Sequence, residues 1–134
     1  MSQKKKGLAL SLDAVLYLLV ALILISIAVV LGPGILETAR NDRAVTESAS
    51  LGALISEYKQ EVGSYPATLD DLKTASGQYG PWIKEVPKDP WNSGNQYRYK
   101  FDDTGFAVYS VGKGKADNSS TKEIGSGNLG FVGR

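Results

Sequence analysis

Residues 14–31 read AVLYLLVALILISIAVVL, and only Tyr17 and Ser26 in that run carry polar side-chain atoms. As a helix these residues rise about 27 Å, close to the hydrocarbon thickness of a bilayer. A helix buried in a water-soluble core would show a polar face, and this run has none. It is therefore expected to cross a membrane, where a helix satisfies its own backbone. Lys4, Lys5 and Lys6 precede it, which places the N-terminus in the cytoplasm and sends the rest of the chain outward. A cleaved signal peptide is the rival reading. Its apolar core would be shorter and followed by a small-x-small site, whereas Gly32, Pro33 and Gly34 follow this one. A retained anchor is the better reading.

Behind Pro33 the pattern changes. Over residues 35–62 apolar side chains recur at Ile35, Leu36, Ala39, Val45, Ala49, Leu54, Ile55, Tyr58 and Val62, mostly three or four apart. Charged residues fill the positions between. This predicts an amphipathic helix with one stripe for packing. A proline between the two helical patterns removes a donor and crowds the preceding turn, so a bend or local melt is expected at Gly32, Pro33 and Gly34. The expected object is one long helix of about 50 residues, broken or bent near Pro33 and closed by a left-handed Gly63.

Thr68 followed by Leu69, Asp70, Asp71 and Leu72 predicts a short helix with an acidic first turn, running to about Ala75. Residues 78–90 read as loop, interrupted by Pro81, Pro87 and Pro90. Residues 96–101 alternate Tyr97, Tyr99 and Phe101 with polar partners, residues 106–111 are aromatic and β-branched, and Asp102 to Gly105 has hairpin-turn chemistry. Residues 129–132 predict a third short strand. Two or three strands are marginal alone, so the soluble half of the long helix should supply the second layer of the core. The expected fold class is α+β, a long N-terminal helix packed on a small antiparallel sheet. The organisation expected is a basic leader-like segment over 1–7, a membrane helix over 8–31 and an exported domain over 32–134.

Charge and composition narrow the chemistry. Setting Lys4, Lys5, Lys6 and Asp13 aside from the 15 basic and 14 acidic residues leaves a nearly neutral exported part. Such a domain has no electrostatic footprint for nucleic acid. Cysteine and histidine are both absent, which removes disulfides, thiol chemistry and the commonest general base and zinc ligand. An enzyme would have to rest on Asp70 with Asp71 or Asp102 with Asp103, and both pairs sit at turn or cap positions. The chain is read as non-enzymatic.

Four motifs, in order, carry a resemblance. Lys4, Lys5, Lys6 and Gly7 stand directly before the apolar helix. Gly63, Ser64, Tyr65 and Pro66 end the long helix, with Leu69 and Leu72 beyond. Val86, Pro87, Lys88, Asp89, Pro90 and Trp91 come next, ahead of Tyr97 and Tyr99. Residues 106–112 read FAVYSVG. The chain resembles the type IV pilin superfamily, most closely the major pseudopilins of type II secretion systems, from about Lys4 to Gly112.

The resemblance implies a pilin-like fold, leader processing after Gly7 with Leu8 as the first mature residue, and an assembly carboxylate near the helix start. Family members usually begin with an aromatic residue and carry glutamate as the fifth. Here Leu12 holds that place and Asp13 is the nearby acid, able to substitute in a register shifted by one, or else a helix-start residue favoured by the dipole. Family loops also bind calcium through a Ser-x-Gly-x-Asp-Gly run. In this chain the matching stretch is Ser110, Val111, Gly112, Lys113 and Gly114, with Lys113 and Gly114 where the run approaches and reaches its aspartate. Asp117, Asn118, Ser119 and Glu123 offer oxygen ligands, while Lys113, Lys115 and Lys122 oppose a divalent cation. A solvated loop without a cofactor is expected, calcium being the one ion the resemblance raises. Two prolines bracket Lys88 and Asp89 and fix an extended approach to Trp91, whose indole with Tyr97 and Tyr99 is read first as core over the helix and second as a binding surface.

The function so implied is that of a pilin or pseudopilin polymerising through its N-terminal helix into a filament of a pilus or type II secretion system. Its partners would be identical subunits, inner-membrane lipid before assembly, a prepilin peptidase and the assembly machinery. Its location would be a single pass in the inner membrane, then an extracytoplasmic or cell-surface filament. The alternative is a membrane-anchored binding module that never polymerises.

Overall fold

The computed structural model describes the backbone of every residue except Met1 and Ser93, and all side chains except those of residues 1–10, 28–33 and Ser93. Helix α1 runs from Ser2 to Val62, longer than the sequence pattern suggests and helical through residues 32–34. The chain divides into two compact units, Met1–Thr38 and Ala39–Arg134.

The first unit is helix alone. Every described side chain in residues 11–27 is exposed, including Leu12, Leu16, Leu22 and Ile25. Ser26 hides its hydroxyl by donating to the Leu22 carbonyl at 2.8 Å, the usual way a serine is tolerated in an apolar helix. Among the described residues no helix is long and apolar enough to cross a membrane. The expected run over 14–31 lies partly outside them, as do the side chains of Leu8 and Pro33, while Gly7 and Gly32 are described by backbone alone. Asp13 is exposed. Gly34 is exposed too, and a Cβ added there would meet nothing within 4 Å, so packing in this chain does not require glycine.

In the second unit the end of α1 packs on a three-stranded antiparallel sheet, β1 (Arg98–Asp102), β2 (Gly105–Ser110) and β3 (Leu129–Gly133), in spatial order β1-β2-β3. The register pairs Tyr99 with Val108 and Val108 with Phe131. Period-two alternation puts those residues, with Phe106 and Leu129, on the helix side. There they join Ala44, Leu51, Ile55, Leu69, Leu72, Val86 and Tyr97 in the main core. The opposite face holds Ala107, Tyr109 and Val111, covered by Ile124 and Val132. Both faces of β2 are therefore covered, and all six of its residues are buried.

The packing stripe differs from the expected one. Ala44, Ser48, Leu51, Gly52 and Ile55 are buried, whereas Ile35, Leu36, Val45 and Ala49 are exposed. Small residues line the contact because the sheet comes close. A Cβ on Gly52 would overlap the Phe131 ring. Gly63 ends α1 at φ +97° and donates its N–H to the Lys59 carbonyl at 2.9 Å, as a left-handed C-cap should. The short helix is a 3₁₀ turn over Leu69–Lys73 that stops before Ala75. Its start is fixed by Asp71, which accepts the Thr68 N–H at 3.1 Å.

Candidate assembly surface and the elements that position it

The Tyr65 and Pro66 pair plugs the junction between helix and sheet. The Tyr65 ring meets Phe106 edge-on at 5.5 Å and Phe101 at 5.9 Å, with the Lys59 ammonium 4.0 Å above it. Pro66 is fully buried and its carbonyl accepts the Tyr99 hydroxyl at 2.8 Å. Burial foremost, and after it the neighbouring Tyr65, Asp71 and Tyr58, push the Tyr99 phenol up.

Asp89 is the second anchor. Only 2% exposed, its Oδ1 accepts the Trp91 N–H at 2.9 Å and the Ser110 hydroxyl at 2.7 Å. Its backbone N–H and carbonyl meet Asn95 and Asn92. Pro90 then turns Trp91 back to the helix, where Nε1 donates to Asn41 Oδ1 at 3.0 Å and the Arg40 guanidinium lies 5.3 Å from the ring. Tyr97 reaches a different turn, donating to Glu47 Oε2 at 2.5 Å, while Arg43 holds Oε1 at 2.7 Å. Burial, and then the hydrogen bond to Glu47, push the Tyr97 phenol up. Trp91, Tyr97 and Tyr99 thus do not form one aromatic cluster. Each clamps a separate point, and Asn41, Glu47 and Ser110 are partners that sequence reasoning missed because no spacing rule links them to the loop.

Apolar side chains are also exposed on the helix, among exposed polar ones such as Arg40, Asp42 and Thr46. Ile35 and Leu36 in the first unit are more than half exposed, and Val45 in the second is 46% exposed. None of the three touches the sheet-facing core.

The C-terminal loop, residues 111–128, folds over the outer face of the hairpin. Asp117 Oδ1 accepts the Tyr109 hydroxyl at 2.6 Å, the Lys100 ammonium at 3.3 Å and the Ser119 N–H at 3.4 Å. The Tyr109 hydroxyl foremost, and Lys100 after it, hold the Asp117 carboxyl below the usual range. At the hairpin tip Asp102 accepts Thr104 on one oxygen and Thr121 on the other, each hydroxyl at 2.5 Å. Those bonds, Thr104 first, bring its carboxyl down to about 2. Glu123 is exposed, its carbonyl accepting the Ser120 N–H. Calcium needs six to eight oxygens, several of them carboxylate. Among the described residues no three acidic side chains gather to hold a metal, and Asp117 already faces an ammonium.

Residues 34–127 match the family described as "Type II secretion system (T2SS), protein G". The chain belongs to that family. Its match covers the clamps above and the C-terminal loop up to residue 127. The chain is 35% identical over 83 residues to the type II secretion system core protein G of Xanthomonas campestris pv. campestris, across 58% of each chain. It is 30% identical over 105 residues to the type II secretion system core protein G of Vibrio cholerae serotype O1, across 69% of this chain and 72% of that one. It therefore spans little more than half the length of the Xanthomonas relative. No solved structure matches it.

Proposed function

We propose that this chain is the structural subunit of a type II secretion pseudopilus, anchored in the inner membrane by residues 8–31 until it is assembled. The observation that carries this reading is an apolar helix exposed at every described position from 11 to 27, in a member of the protein G family.

The physical sequence follows from that helix. In the bilayer its side chains are solvated by lipid, so helices gain by packing against one another rather than by leaving water. Extraction into an aqueous space would expose each leucine at a cost of about 1.5–3 kcal/mol unless it is reburied at once. Neighbouring copies of the same helix supply that burial, and the secretion machinery supplies the work of extraction. Ile35, Leu36 and Val45 are exposed apolar positions beyond the expected membrane segment, each open to neighbouring subunits, while the exported domain faces outward. Processing after Gly7 would leave Leu8 at the mature end. Asp13 then supplies the carboxylate that pairs with the terminal amine of a neighbour. Pro33 between two glycines removes one backbone donor and gives the helix a place to yield as subunits pack.

N-terminal sequencing of the purified protein, with electron microscopy of sheared filaments, tests this. A start at Leu8 and filaments containing the chain are expected. An intact Met1 with no filament under overproduction would refute it.

A further inference from the structure

We propose that the loop over residues 111–128 is closed by a resident ammonium, that of Lys100, acting in the position of a metal ion, so that the exported domain folds without calcium. The Lys100 nitrogen bridges two loop oxygens of the kinds calcium takes, the Asp117 carboxylate at 3.3 Å and the Ser119 carbonyl at 3.0 Å. It also lies 5.7 Å from the centre of the Tyr109 ring, whose hydroxyl donates to the same Asp117 oxygen. Lys100 pairs across the hairpin with Ala107. That small neighbour leaves the lysine stem free to run along the sheet face towards the loop.

The rest of the loop is closed by an amide. Asn128, 8% exposed, donates through Nδ2 to the Val111 carbonyl at 3.2 Å and the Ala116 carbonyl at 2.7 Å. Its Oδ1 accepts the Asn118 N–H at 2.9 Å and the Ser119 hydroxyl at 2.8 Å. Backbone oxygens that a cation would collect are thus already bonded to N–H groups. A divalent ion at Asp117 would have to displace Lys100 or lie against it, and like charges that close repel. The inference concerns this loop alone and stands whether or not the chain polymerises.

The test uses the full chain in detergent micelles, with thermal unfolding and limited trypsin digestion read together. The natural protein should show one Tm in excess chelator and in millimolar calcium chloride. Cleavage after the exposed Lys115 and Lys122 should be equally slow in both. Lys100→Met, which keeps the stem and removes the charge, should lower Tm by about 3–6 °C. It should also speed cleavage at those two lysines, and Lys100→Arg should restore most of the loss. Asp117→Asn together with Lys100→Met should cost less than the two single losses added. A calcium-dependent rise in Tm of the natural protein, abolished in Asp117→Asn, would overturn the proposal. So would a Lys100→Met variant that melts and digests like the natural protein.

Discussion

The Trp91 indole hydrogen-bonds Asn41, fifty residues earlier in the chain, at 3.0 Å. This bond joins the proline-rich loop to the start of the helix segment that carries the domain. Its partner clamp, Tyr97 on Glu47, lies almost two helical turns further along. The orientation of the loop on the helix is therefore fixed at two points rather than by apolar contact alone.

Trp91→Phe keeps an aromatic ring and deletes the donor, leaving Asn41 Oδ1 half-buried without it. The expected loss is about 1 kcal/mol, seen as a fall in Tm of roughly 4–8 °C. Chemical denaturation in micelles measures it. Pairing the variant with Asn41→Leu should recover part of the loss, since neither partner then remains unsatisfied.

Two helix positions should respond in opposite directions. Ser48 is fully buried, and its hydroxyl has no partner among the described residues. Ser48→Ala removes a stranded polar atom and favours helix, so stability should rise by about 1 kcal/mol. Gly52→Val drives a branched side chain into the Phe131 ring and should cost about 1–3 kcal/mol. Equilibrium unfolding of the two variants beside the natural protein separates these outcomes.

Leu36→Lys and Val45→Lys place charges on exposed positions that take no part in the core. Folding should be unchanged by thermal melting, while filament yield from overproducing cells should fall at least tenfold. Unchanged yield would remove these residues from the assembly surface.

Alkaline pH should unfold the domain early. The phenols of Tyr97, Tyr99 and Tyr109 are all raised, with burial the largest cause in each. The folded state holds the neutral form, so their contribution is fully present below the ordinary phenol pKa of about 10 and is lost as pH rises above it. Ultraviolet titration should show some of the 7 tyrosines ionising late, together with unfolding. Glu47→Gln should lower the Tyr97 value without normalising it, because burial remains.

Much of this was legible in the chain itself. The apolar run, the helix behind it, the Gly63 cap, the hairpin and the third strand all follow from local periodicity and turn chemistry. Local rules read these because each concerns neighbours a few residues apart. The order of motifs from Tyr65 to residues 106–112 likewise pointed to the family that the match over residues 34–127 then established.

What the helix buries was decided by the sheet. Counting apolar residues favoured Val45 and Ala49, but the sheet's close approach selected Ala44, Ser48 and Gly52, where little side chain stands in the way. The clamps of Trp91 on Asn41 and Tyr97 on Glu47, and the closing of the C-terminal loop by Lys100 and Asn128, depend on atoms brought together across 9 to 50 residues. Hydrogen bonding at such separations leaves no period in the sequence. The apolar helix needed only its own residues to declare itself, whereas the loop's preference for an ammonium over a metal arose when β1 set Lys100 beside Asp117.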